Sequence, residues 1–534
     1  MLRPAFLSAM ASVRRPLLDR WRHPRAGAQP AGPAAAHPVT IRIDAESPGP
    51  VVPDDFAGLG FERGPLNPGN AGVAGYLFRP ENDSLVTLFR NMGLRNLRLG
   101  GGSVDNMFPA GADGDFTGID NLFGFARVAG LKVIYTLRML NRSTKPIRDL
   151  ETVDAQVAGH IWSNYRDNVA RFAIGNEPDW HDFHSYAGRP ADPAIYEEIS
   201  GVPGSAYSSY RARWQVLAAT VTDAAPGAPL SGPDTGAYGP LTWTPNPDTG
   251  VSWTERFAGD ERGSGRITDV TQHLYVGGDP GKTTAAQAIS NMLSPEWVNG
   301  TAPGTQPART TYTPYPWFFT THLAAVAAAG QRYRLTESND YLGGIPGASN
   351  AFASALWALD YLHWWAAHGA AGVNFHNKQW LYTDTIVPDP ATGGTRYKAT
   401  PKGYGIKAFT LASAGQAKPV AIDNTDGINL TAYCVGAASE DYVTIINKTH
   451  GPQAADAEVT IVPPGPTRPT AHFMTLASEP PGDATQASAT LGGAAITGDT
   501  PWNGEWDALP ESQAGITLTI KPTSAAIVRI RYQR

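Results

Sequence analysis

Cysteine is almost absent from this chain: Cys434 is the single one among 534 residues. A lone thiol excludes any intramolecular disulfide, and no Cys/His spacing of the kind that builds a zinc site accompanies it. His181 and His184, beside Asp179 and Asp182, are the one local cluster of metal-type side chains. A solvated loop is the expected reading there, and neither a metal nor a cofactor is expected. Long apolar runs are missing as well. No stretch reaches the roughly 18 apolar residues of a membrane-crossing helix, so no membrane partner is expected. Charge is sparse, at 17% of residues, with a net value of −6. That balance argues against nucleic acid as a partner. A targeting segment is not evident either. The weak apolar patch from Phe6 to Val13 precedes Arg14 and Arg15, the reverse of the charge-then-core order of a signal peptide. Residues 1–38, rich in Pro, Ala and Arg, are expected to be disordered or extended. The compartment, cytoplasmic or exported, and the oligomeric state stay open.

What is abundant points elsewhere. With 57 Gly and 45 Pro the chain is rich in turns, and 42% hydrophobic residues are enough for ample core. The 14 Trp and 20 Tyr suit sugar stacking, although helices and a sandwich core absorb most such residues. At this length two or three domains are the prior.

From about residue 52 to 410 strand and helix patterns alternate. Strands are expected at 57–62, 94–100, 131–137, 171–178, 230–235, 267–275, 331–339 and 370–376. Helices are expected at 83–92, capped by Asn82 or Asp83, and at 152–168, 208–224, 315–329, 351–368 and 402–414. Eight such strands in order imply a (β/α)8 TIM barrel, an α/β fold. After about residue 411 the period becomes two, with Gly, Pro and Asp between runs, the pattern of an antiparallel β-sandwich. Val39, Ile41 and Ile43 alternate in the same way before the barrel. The expected layout is therefore a barrel over 52–410 and a sandwich domain from 39–51 plus 411–534.

Two segments carry the chemistry. Arg171-Phe-Ala-Ile-Gly-Asn-Glu-Pro178 is an apolar run ending in a side-chain amide and a carboxylate, where Pro178 stops the ladder. Gln331-Arg-Tyr-Arg-Leu-Thr-Glu-Ser-Asn339 repeats the grammar and ends near Glu337. A barrel places both strand ends at its catalytic face. Paired carboxylates there are what glycoside hydrolysis requires: one protonates the leaving oxygen, and the other attacks or directs water. A separation of roughly 5–5.5 Å gives retention, and about 6.5–9.5 Å gives inversion. Asn176 is placed to hold a sugar hydroxyl.

These features resemble clan A of the retaining glycoside hydrolases, and more narrowly glycoside hydrolase family 79, the β-glucuronidase and heparanase group. The resemblance rests on Ile174-Gly-Asn-Glu-Pro178, on Leu335-Thr-Glu-Ser-Asn339 with Gly343-Gly344, on the helix Phe352 to Asp360, and on Gly372-Val-Asn-Phe-His376. It implies Glu177 as acid/base, Glu337 as nucleophile and Tyr275 as a donor to that nucleophile. Arg98 is a candidate charge partner for Glu337, and Glu62 and Asp105 are candidate acceptors of sugar hydroxyls. For a uronate carboxylate the resemblance implies a loop after the nucleophile and a tyrosine after the eighth strand. The nearest matches are Tyr341 with Gly343 and Gly344, and Tyr382, with Lys378 assisting. Tyr341 stands one residue from the expected place. The implied activity is retaining exo-β-glucuronidase, with a β-glucuronide as the carbohydrate substrate. A retaining β-glycosidase for a neutral sugar is the alternative, and a non-catalytic carbohydrate-binding barrel is a third reading.

Overall fold

The protein is described by a computed structural model covering residues 36–107, 110–140, 150–180, 206–236, 251–277, 283–300, 313–437, 439–465, 469–510 and 515–532. The expectation for residues 1–35 and the His181/His184 cluster lie outside these residues.

Eight parallel strands close into a barrel in chain order. They are Ala57–Glu62, Asn96–Gly100, Lys132–Leu137, Val169–Ile174, Leu230–Thr235, Ile267–Tyr275, Tyr333–Asn339 and Val373–Asn377. The eighth pairs with the first, from Val373 against Ala57 to Asn377 against Phe61. Alternation along the strands sorts their side chains. Leu59, Phe61, Leu97 and Leu99 join the apolar core beneath the helices. The alternate positions point inward and are largely polar. Asn374 donates to Asn96 at 2.8 Å, Arg334 donates to Asn374 at 2.8 Å, and Arg171 pairs with Asp269. Gly58 leaves room for this layer, since a Cβ there would lie 2.5 Å from the Asn374 amide. The lower barrel is thus a buried polar network in place of the usual branched aliphatic layers.

The helices follow from amphipathic spacing and capping. Asp83–Met92 is capped by the Asn82 side chain, which accepts from Leu85 N, and ends at Gly93 with φ of 71°. The expected helix at 315–329 is two, Tyr315–His322 and Ala324–Ala328, separated at Leu323 with φ of −128°. Among the described residues four α-helices lie outside the expected ones: Thr117–Ala129, Trp253–Glu261, Ala285–Met292 and the single turn Glu296–Asn299. Trp253–Glu261 and Ala285–Met292 open with capping boxes, Ser252 with Glu255 and Thr284 with Gln287, a readable signature on helices too short for a long apolar stripe.

Beyond the barrel lie a four-stranded and an eight-stranded sheet. The strand His37–Ile43 sits inside the smaller one, antiparallel to Val420–Asp423 and parallel to Ala457–Val462. Val39, Ile41 and Ile43 pack in one cluster with Val443, Ile445, Val528 and Ile530 of the larger sheet, which makes the two sheets a sandwich. The opposite face of the larger sheet supplies Ile446, Met474, Leu476 and Ile527 to the barrel's own core cluster. The helix Ala353–Ala367 is buried on nearly every face.

Candidate active site

The strand ends at one face of the barrel converge on Arg98. This guanidinium is fully buried on the second strand and reaches Glu337, Asn176, Asp234 and His273. Nη1 donates to Glu337 Oε2 at 2.8 Å, and Nη2 donates to Asn176 Oδ1 at 2.7 Å and Asp234 Oδ2 at 3.1 Å. The Tyr275 hydroxyl donates to Glu337 Oε1 at 2.7 Å. Two imidazoles flank the same carboxylate, His273 at 3.9 Å and His376 at 3.8 Å from Oε2. Burial alone pushes the Glu337 carboxyl up. His376, His273, Arg98 and the Tyr275 hydroxyl overcome that and hold it well below the usual carboxylate range. Glu337 is therefore an ionised, doubly bonded carboxylate.

Glu177 is held differently. The fourth strand stops at Ile174, earlier than its apolar run implies, because the chain turns at Gly175 with φ of 80°. Glu177 itself takes a left-handed φ of 46°, a conformation a carboxylate residue adopts only under constraint. Its N–H donates to the Asp234 carbonyl at 2.8 Å. Its side chain is 21% exposed and bonds to His273 Nδ1 at 2.9 Å. Arg98 Nη2 also lies 3.3 Å from His273 Nε2.

One ligand-type atom each from Glu177, His273 and Glu337 lie within 4.8 Å of one another. These three side chains are also the ones that could hold a cation, but Arg98 already supplies the positive charge on Glu337. Glu177 and Glu337 thus bring two carboxylates together at the strand ends, the first partly exposed and the second buried.

The remaining residues divide. Glu62 lies at the mouth: Oε2 accepts from Ser103 N at 2.8 Å and from the Ser103 hydroxyl, and Oε1 faces His376 Nε2 at 3.5 Å. Burial raises the Glu62 carboxyl, and His376 with Ser103 brings it below its ordinary value. Gly101, with φ of 77°, lets the loop wrap this carboxylate, since a Cβ there would meet it at 2.6 Å. Asp105 is spent inside the fold. Its Oδ1 takes the N–H groups of Met139 and Leu140 at 2.9 Å each, which makes it a brace for the loop after the third strand.

The loops after the seventh and eighth strands also depart from expectation. Tyr341 is buried, and its hydroxyl accepts from Asn291 Nδ2 at 3.2 Å. The Gly344 N–H donates to the Tyr341 carbonyl at 3.0 Å. The Gly344 N–H therefore serves the turn, whereas the Tyr341 hydroxyl, an acceptor from Asn291, keeps its own hydrogen to donate. Gly343 holds φ of 74° beside open space, Tyr382 is half exposed and Lys378 is exposed. The buried Lys402 laces the two loops together, donating to Asn339, Thr383 and Asp340 at 2.8–3.1 Å.

The sequence reading passed over Asp234, His273, His376 and Ser103. For His273 a signal existed, because period-two alternation puts it on the same inward face as Tyr275. Asp234 follows Pro233 in the least regular strand, which masked it.

No protein-family model matches the chain, and no curated protein matches it in sequence. Solved structures do match it in fold. A 4-O-α-L-rhamnosyl-β-D-glucuronidase from Fusarium oxysporum 12S superposes with a TM-score of 0.64 at 16% identity, covering 92% of this chain and 99% of that one. A GH51 arabinofuranosidase from Xanthomonas axonopodis pv. citri gives 0.61 at 14% identity, over 93% and 100%. A family 44 xyloglucanase from Paenibacillus polymyxa gives 0.57 at 13%, over 93% and 100%. Each of these similarities spans barrel and sandwich together and establishes the shared fold.

Proposed function

We propose that the protein is a retaining glycoside hydrolase. The observation that carries this is the Glu177–Glu337 pair, close together with opposite environments. Glu337, saturated by Arg98 and Tyr275, is the nucleophile. Glu177, more exposed and bonded to one imidazole, is the acid and then the base. In the first step a Glu337 oxygen bonds to the anomeric carbon while the glycosidic C–O bond breaks and the Glu177 proton passes to the leaving oxygen. In the second a water gives its proton to Glu177, and its oxygen displaces Glu337. Asn176 and Glu62 are placed to hold sugar hydroxyls.

For the sugar, the reading is an exo-acting β-glucuronidase of the family 79 type. It is supported by the glucuronidase among the fold-related proteins and by the exposed Lys378 and Tyr382 in the loop after the eighth strand, where Tyr382 adjoins Gly344. One observation favours the neutral-sugar alternative: the Gly344 N–H already serves its own turn, which shortens the list of carboxylate donors by one. A panel of nitrophenyl β-glucuronide, glucoside, galactoside and xyloside separates them. A uronate held by Lys378 and Tyr382 predicts a higher kcat/KM on the glucuronide than on the glucoside. Equal rates on glucuronide and glucoside would move the protein to the neutral-sugar reading, and no turnover on any member would defeat the hydrolase reading.

A further inference from the structure

His376 ends the eighth barrel strand and is buried, yet both of its ring nitrogens face carboxylate oxygens on other strands. Nε2 lies 3.5 Å from Glu62 Oε1 on the first strand, and Nδ1 lies 3.8 Å from Glu337 Oε2 on the seventh. Nδ1 has no hydrogen-bond partner. A neutral imidazole has one N–H and one lone pair, so one of these carboxylates would face a lone pair across a water-poor gap. Only the imidazolium turns a hydrogen toward each. The surrounding charges agree. Glu62 Oε2 is already saturated by Ser103, and no guanidinium or ammonium bonds to Glu62 among the described residues. Arg98, the other cation facing the ring, is committed to Glu337, Asn176 and Asp234. Asp384, in the turn after the eighth strand, is the remaining charged group within electrostatic reach, and its oxygens serve the N–H groups of Lys378, Trp380 and Leu381. Without a cation at position 376, Glu62 and Glu337 would be two like charges in one buried pocket, which favours a proton on one of them.

We propose that His376 is a positioning residue whose imidazolium bridges Glu62 and Glu337, allowing the sugar-binding and the nucleophilic carboxylate to be ionised together. This rests on the reading of Glu337 as nucleophile. The ring's environment points the same way: burial works against its charge, but Glu337 and Glu62 raise its affinity for the proton above that of free imidazole.

Two measurements on the full chain test this. The first needs no substrate. Ring ¹⁵N spectra of histidine-labelled protein, with His376 assigned by difference from His376→Asn, should show a doubly protonated ring well above pH 6.5, about the midpoint of a free imidazole. Glu62→Gln should lower that midpoint by about one pH unit or more. A ring that is singly protonated at pH 6, or a midpoint indifferent to Glu62→Gln, overturns the proposal. The second uses the glycoside from the panel that is turned over fastest. His376→Asn should lower kcat about tenfold or more, with the greatest loss at neutral pH, where both carboxylates must be ionised. Adding Glu62→Gln to His376→Asn should recover part of kcat while KM stays raised, because one of the two repelling charges is gone. A ring that merely fills space predicts no recovery, and that result would overturn the proposal. If no glycoside is hydrolysed, the hydrolase reading fails while the ¹⁵N experiment still decides the charge of His376.

Discussion

Glu177 and Glu337 belong to the same residue type, and the proposed mechanism rests on the difference between their surroundings. Glu337 accepts from a guanidinium and a phenol, while Glu177 leans on one imidazole. Their substitutions should therefore differ in kind. Glu337→Gln removes the nucleophile and should abolish turnover of every glycoside by several orders of magnitude. Glu177→Gln removes proton donation, worth about 10²–10⁴-fold, and should spare substrates whose leaving group needs no proton. A dinitrophenyl glycoside should thus react in Glu177→Gln far better than a methyl glycoside, and equal losses on both would reverse the assignment. Asp154 poses a separate question at this scale. It is buried on the helix Leu150–Tyr165 with one carboxylate oxygen unpartnered. Burial pushes its carboxyl up to about 8, against the pull of Arg63, Arg138 and Arg213. A folded-state value raised above the unfolded one gives stability that is complete below about pH 4 and drains away as pH rises to 8. Asp154→Asn should therefore raise the melting temperature at pH 8 and leave it nearly unchanged at pH 4. A melting temperature lowered at pH 8 would show that the carboxylate is ionised against its arginines.

At the scale of elements, the strand His37–Ile43 shows how far patterning reaches. Its alternation of Val39, Ile41 and Ile43 is the same period-two code as the C-terminal strands, and the structure seats it between two of them. Ile41 is completely buried, so Ile41→Ala should cost about 2–5 kcal/mol, read as a lower melting temperature. An exposed neighbour such as Arg42 should tolerate alanine. Equal effects at both positions would mean that the strand is not held by its inner face. The same code made the barrel legible, because most of its strands are short apolar or alternating runs, several of them closed by Gly or Asn. It also made Glu177 and Glu337 legible, as carboxylates stranded at the ends of such runs. Helices with small apolar faces, such as Ala285–Met292, were lost among Ala-rich loops. Residues whose role depends on cross-barrel distance were also lost. Nothing near Asp234 or His376 in the chain announces Arg98 or Glu62, and Asp105 and Tyr341 look available until their partners from distant loops are seen. Periodicity encodes which way a side chain points, whereas what it meets there is set by closure.

For the whole molecule, the decisive junction is where the helix Ala353–Ala367 runs between the barrel and the large sheet. Asp360 on that helix is buried, and it accepts from Lys448 Nζ at 3.0 Å, from Thr431 Oγ1 at 2.7 Å and from the Tyr433 hydroxyl at 2.8 Å. All three donors come from the sandwich side. A buried ion pair adds little over an apolar contact of the same shape, but breaking it from one side leaves the other charge stranded. The two halves here are unequal. Lys448→Met leaves Asp360 with two hydroxyl donors, so the carboxylate stays partly satisfied. Asp360→Asn leaves an ammonium at 0% exposure facing a neutral amide, and both hydroxyls lose their charged acceptor. Asp360→Asn should therefore cost more, about 3–5 kcal/mol, and Lys448→Met distinctly less. Because barrel and sandwich share the core on either side of this helix, both variants should unfold in a single calorimetric transition at a lower temperature than the parent. A second transition appearing in Asp360→Asn would mean that the junction, rather than the shared apolar core, couples the two halves. A larger loss in Lys448→Met would show that the carboxylate, with its remaining hydroxyl donors, is the worse charge to leave behind.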